Sequence, residues 1–135
     1  NAMQLAINEA GIELNQVDYI NTHGTSTIIG DLAEVKAIQD LFAEHAYNIS
    51  LTSSKSMTGH VLGATGAIEA IISVLSMKHS MVTPTINHEK GDEDPNIDYK
   101  LNFTFNQAQP REINYAMSNN FGFGGHNACL LFKRI

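Results

Sequence analysis

Between Ser56 and Met77 the chain carries one formally charged residue, Glu69. A helix built from such a stretch is apolar on nearly every side, and helices of that kind are buried on nearly every side. A long buried helix from about Val61 to His79 is therefore expected. Gly63, Ala64, Gly66, Ala67 and Ala70 would let another backbone approach it closely. A membrane span is disfavoured, because a carboxylate sits at the middle and two glycines lie near the start. Glu69 itself needs a cation or several hydrogen bonds if it is buried, and Lys55 is placed to supply one.

A chain of 135 residues makes one compact domain rather than two. Apolar residues are 43% and charged ones 16%, a balance that disfavours disorder. Eight Lys and Arg against fourteen Asp and Glu leave a net charge of −6, with no basic stripe for nucleic acid. The single cysteine, Cys129, rules out an intrachain disulfide and any CxxC zinc or redox motif, which fits a reducing compartment, the cytoplasm. No charged, apolar leader opens the sequence. Asn1-Ala2-Met3 reads as the remnant of a cleaved purification tag followed by a starting methionine, so residues 1–3 are set apart and residues 4–135 are taken as the domain.

Gln4 to Ala10 reads as a helix stopped by Gly11, and Val17 to Asn21 as a short strand. Asp31 and Glu34 have capping-box spacing ahead of Leu32, Val35, Ile38, Leu41 and Phe42. That pattern predicts an amphipathic helix to about His45, with Asp31, Glu34, Lys36, Asp40 and Glu44 on its solvated face. Ile49 to Thr52 is a second strand. Thr83 to Asp98, with two of the three prolines and the run Asp92-Glu93-Asp94, marks a surface loop. Leu101 to Phe105, Tyr115 to Asn119 and Ala128 to Lys133 read as further strands. The order implies an α/β layered domain with a mixed sheet and one buried helix.

Two histidines, His23 and His60, each follow a predicted strand, and catalytic groups of open α/β sheets gather at the carboxyl ends of strands. Taken singly, each reads as a structural or surface residue. The small hydroxyl residues around them, in His23-Gly24-Thr25-Ser26-Thr27 and Lys55-Ser56-Met57-Thr58-Gly59-His60, favour a polar tunnel instead. Zinc is disfavoured, since neither HExxH nor a cysteine ligand accompanies them. His45, His79, His88 and His126 look incidental. Glu69 with Lys55 reads equally as a structural ion pair or as part of a catalytic site. Phe121-Gly122-Phe123-Gly124-Gly125 has no following helix and so makes a poor phosphate loop. It reads as a hairpin turn or as a gate with backbone N–H donors.

At these residues the sequence resembles the β-ketoacyl-[acyl carrier protein] synthases, most closely the elongating type of bacterial fatty-acid synthesis. Three blocks carry the likeness: Asn21 to Thr27 with Gly30-Asp31 and Glu34, Ser54 to His60 with Gly63 to Glu69, and Ser118 to Gly125. It runs from about Met3 to Ile135 and covers only the C-terminal part of such an enzyme. The resemblance implies a thiolase-like half-domain and a decarboxylative Claisen condensation that extends an acyl chain by two carbons. By that likeness His23 and His60 stabilise the malonyl enolate, and Lys55 supports them with Glu69 as its partner. Thr25 and Thr27 bind the carrier's phosphopantetheine arm. Phe121 gates the site and lends its backbone N–H to an oxyanion hole. Asn21, Glu69, Ser118 and Asn119 resemble a monovalent-cation site, and no other cofactor is implied.

The family's nucleophilic cysteine has no match here, because Cys129 lies in the apolar run Ala128 to Phe132 and reads as a core residue. The chain is therefore expected to be inactive alone and to pair with its own N-terminal half. An acyl carrier protein and a homodimer partner are the other expected partners, with neither nucleic acid nor membrane among them. A polyketide ketosynthase and a non-catalytic chain-length factor remain as alternatives.

Overall fold

The computed structural model describes residues 1–135. Its centre is a four-stranded sheet in the order β2-β1-β5-β6, formed by β1 (Tyr19–Asn21), β2 (Ser50–Thr52), β5 (Tyr115–Gly122) and β6 (His126–Lys133). The short strands β3 (Met81–Val82) and β4 (Gln109–Pro110) make a separate antiparallel pair. β1 runs parallel to both β2 and β5, while β5 and β6 are antiparallel, so the sheet is mixed as expected. Tyr19 and Ile20, neighbours on β1, serve opposite faces, as a period of two requires. Ile20 and Met117 pack with Met3 and Ile7 of α1 (Ala2–Ala10) and with Val35, Ile38 and Phe42 of α2 (Ile28–Phe42). Tyr19 and Ala116 pack on the other side with Met77 of α4 (Thr65–His79) and with Val82 and Ile113. The result is a three-layered α/β/α arrangement.

Several expectations need correction. Ala2 and Met3 belong to α1, and Met3 is a core residue, so the fold includes part of the segment set apart in the sequence. Gly11 does end α1 in a left-handed conformation, φ 64. Asp31 is not an N-cap: α2 starts at Ile28 after Thr27, whose carbonyl accepts the Asp31 N–H. Glu34 is buried and does not lie on a solvated face. Leu101 to Phe105 is not a strand, because only Asn102 and Phe105 make isolated bridges, to Ser50 and Thr85. β5 and β6 run on to Gly122 and His126, which shortens the glycine-rich turn to Phe123-Gly124-Gly125.

The expected buried helix differs most. It begins at Thr65, after α3 (Lys55–Thr58) and a helical turn at Leu62–Ala64 entered through a left-handed Leu62. Its inward residues are Thr65, Glu69, Ser73, Ser76 and Met77, whereas Ile71, Val74 and Leu75 are exposed. The helix turns a mainly polar stripe to the sheet and an apolar one outward. The expectation of burial on nearly every side is not met in this structure, where only the polar side is covered.

Candidate functional site

His23 follows β1 directly, and His60 follows α3, which itself follows β2; β1 and β2 are adjacent parallel strands. Their carboxyl ends therefore deliver both imidazoles to one place, with ring centroids 5.6 Å apart and planes at 87°. Each ring is fixed by a backbone donor. The Phe121 N–H donates to His23 Nδ1 at 3.3 Å, and the Leu62 N–H donates to His60 Nδ1 at 3.1 Å. An imidazole that accepts at Nδ1 carries its proton on Nε2 when neutral. Both rings thus present an Nε2–H donor. Burial, reinforced by the nearby Lys55 charge and by His60, lowers the His23 pKa to about 4, so the ring is neutral near pH 7.

Behind the histidines, Lys55 on α3 meets Glu69 on α4 at 2.6 Å, with both side chains buried. The burial raises the Glu69 carboxyl above its ordinary range, against the opposing pull of Lys55. The second oxygen, Oε2, has no protein hydrogen-bond partner.

Glu34 is the functional residue that the sequence reading misplaced. Its Oε1 accepts the His23 N–H and its Oε2 the Gly24 N–H, both at 3.0 Å, so it clamps the loop that carries the first histidine. Gly24 is needed there: its φ is +35, and a Cβ would lie 2.7 Å from both Ser53 Cβ and Thr22 Oγ1. The signal available in the sequence was the capping-box spacing of Glu34. That spacing pointed to a helix start and a solvated carboxylate, not to the loop N–H groups that Glu34 in fact holds.

Thr25 and Thr27 place their hydroxyls 3.2 Å apart on the wall of a cleft of about 530 Å³, which Lys55 and His60 also line. The Phe121 ring stands 5.1 Å from that of His23. Its N–H, which the resemblance gives to an oxyanion hole, is engaged by His23 in this structure. The four residues of the suggested cation site do not converge through their side chains. Ser118 pairs in register with Asn21 on the α4 face, where Ser118 Oγ and Glu69 Oε2 are buried without protein partners. The Asn21 amide is taken up by Ser54, and Asn119 points to the opposite face, towards Met3 and Glu34. Cys129 is far from nucleophilic, since burial drives its thiol up to about 12.

Residues 1–89 match the family model described as the C-terminal domain of β-ketoacyl synthases. The chain is 55% identical over 134 residues to a 3-oxoacyl-[acyl-carrier-protein] synthase 2 of Staphylococcus aureus, covering 99% of this chain and 31% of that protein. A synthase of the same name from Coxiella burnetii is 47% identical, with 98% and 31% covered. Among solved structures, a β-ketoacyl synthase from Burkholderia phymatum superposes with a TM-score of 0.89 at 40% identity, covering 98% of this chain and 31% of that one. A type II polyketide ketosynthase, solved with its acyl-carrier protein and bound to a hexaketide, gives 0.92 at 34% identity, with 98% and 32% covered. The fold is thiolase-like, and the chain spans about a third of the length of the relatives it matches. On the family match and these likenesses together, this chain belongs to the β-ketoacyl synthase family.

Proposed function

We propose that these residues supply the decarboxylation half of a β-ketoacyl-[acyl carrier protein] synthase that elongates fatty acids. The observation that carries this reading is the pair of facing imidazoles, each accepting a backbone N–H at Nδ1 and so turning Nε2 towards a ligand. When the bond between the malonyl α-carbon and its carboxylate breaks, CO2 leaves and the electron pair moves onto the thioester oxygen as an enolate. Donors fixed at that oxygen stabilise the charge where it develops. The enolate carbon then attacks the acyl thioester on a cysteine from the rest of the protein, and the thiolate departs. Lys55 places its ammonium beside the histidines, which favours the neutral form of His23, while Glu69 balances that charge inside the protein.

The chain's similarity to fatty-acid synthases, at 55% identity, exceeds its 34% identity to the polyketide ketosynthase, which favours the former pathway. The acyl carrier protein is the proposed partner, with Thr25 and Thr27 receiving its phosphopantetheine arm along the cleft wall. The outward apolar stripe of α4 supports a further domain of the same protein packing there. A homodimer and a cytoplasmic setting complete the proposal; no helix is long and apolar enough to cross a membrane. A monovalent cation, where bound, would lie against Ser118 Oγ and Glu69 Oε2 and add positive charge beside the ion pair.

The test uses the full-length protein and measures acyl-enzyme formation and CO2 release separately. His23→Ala and His60→Ala should abolish or severely slow CO2 release while sparing acyl transfer. Variants that lose acylation first and release CO2 normally would overturn the assignment.

A further inference from the structure

Asn119 is fully buried, and its side chain lies on the sheet face opposite to Ser118 and Glu69. Its Nδ2 donates to Glu34 Oε1 at 3.0 Å and lies 3.4 Å from Met3 Sδ. Glu34 is 3% exposed and makes no ion pair, so its carboxylate is held inside the protein by three N–H donors, from His23, Gly24 and Asn119. Two of these belong to the loop that carries His23, and the third belongs to β5. Phe121, two residues further along β5, holds the ring of the same histidine through its backbone N–H.

We propose that Asn119 is a positioning residue that fixes the His23 loop by holding the Glu34 carboxylate in the orientation that accepts the His23 and Gly24 N–H groups. β5 then sets both the backbone of His23, through Asn119 and Glu34, and its ring, through Phe121. The loop needs such a hold because Gly24 adopts a left-handed conformation packed tightly against Ser53 and Thr22. An amide suits position 119 in a way that its near-isosteres do not. Aspartate would set a second carboxylate against Glu34, and leucine would leave a buried carboxylate one donor short. The assignment rests on the proposed role of His23 in decarboxylation and extends it to a residue that touches no substrate.

The experiment takes the full-length protein with Asn119→Leu, Glu34→Gln and the two combined, and measures acyl transfer and CO2 release separately. Asn119→Leu should slow CO2 release by about tenfold or more, since misplacement of ~1 Å at a reacting group costs on the order of a hundredfold. Acyl transfer should stay within about twofold, which a general loss of structure would not allow. Because Asn119 acts through Glu34, the double variant should be no slower than the slower single one. Three results overturn the proposal: CO2 release unchanged by Asn119→Leu, equal loss in both half-reactions, or a double variant whose loss is the product of the single losses. Asn119→Ser, which also lacks the reaching donor, takes the same tests if the leucine variant does not fold.

A wild-type protein that releases no CO2 from malonyl thioester would sink the functional reading by itself. The positioning role is then judged on the His23 ring, titrated by 15N NMR in the wild type and in Asn119→Ser. The charged or titratable groups facing that ring are Lys55 on α3 and His60 beyond it. Loosening the loop should hydrate the imidazole and move its pKa up from about 4 towards the ordinary range. An unmoved titration would overturn the role.

Discussion

Lys55 Nζ lies 2.6 Å from Glu69 Oε1, and the two side chains keep only 5% and 1% of their surface exposed. Such a pair resists the loss of either member more than the loss of both, because a lone buried charge has nothing to offset its desolvation. Glu69→Ala or Lys55→Ala in the full-length protein should therefore cost about 3–5 kcal/mol of stability. The paired replacement Lys55→Met with Glu69→Leu should cost clearly less than either single change. Urea denaturation of the three variants provides the measurement, and a double variant as unstable as the sum of the singles would contradict the burial argument.

The neutral His23 makes stability depend on pH in a definite direction. Its folded pKa is about 4, below the ordinary 6.5, so between those values the unfolded chain binds a proton that the folded one does not. Stability contributed at this position therefore rises as pH goes from 4 to 6.5 and falls on acidification through the same window. His23→Gln should flatten that part of the stability profile relative to wild type. The raised pKa values of the buried Glu34 and Glu69 act with the opposite sign and are common to both proteins, so the difference between the two profiles isolates the histidine.

Cys129 should remain unacylated. A thiol raised to about 12 by burial and by the nearby Glu34 charge has a negligible thiolate fraction at neutral pH. Incubating the 135-residue chain with an acyl carrier substrate should give no mass shift. Stoichiometric acylation followed by turnover would show that this chain contains a nucleophile after all.

The isolated chain should also self-associate. Ile71 at 59% exposed, Val74 at 46% and Leu75 at 45% make an apolar stripe on α4, and Leu130 at 48% adds to the exposed surface of the edge strand β6. Apolar patches of this kind drive association in water, and an unpaired edge strand adds to it. Sedimentation should show species larger than a monomer, and a hydrophobic dye should bind. A clean monomer without dye binding would mean that the stripe is tolerated in solution.

The local signals were read well where neighbouring residues decide the outcome. Gly11 stops α1 because only a left-handed residue fits just past a helix end, and that requirement is visible in the chain itself. The alternation on β5 was equally available, since residues 118 and 119 of one strand must face opposite ways. It puts the side chains of Ser118 and Asn119, both named in the suggested cation site, on opposite faces. The burial of Glu34 is not legible in this way. At helical spacing it sits among Asp31, Lys36 and Asp40, and nothing local distinguishes a solvated carboxylate from a buried one.

The family and the two loops that carry His23 and His60 are legible in the chain, because both depend on residue types at short, fixed spacings. The tertiary structure alone decided that Glu34 is buried, that Asn119 faces it and that α4 turns its polar stripe inward. Those outcomes depend on partners remote in the chain: Glu34 meets His23 across 11 residues and Asn119 across 85. A polar side chain is buried only where folding delivers donors to it, and only the packed sheet brings these donors together.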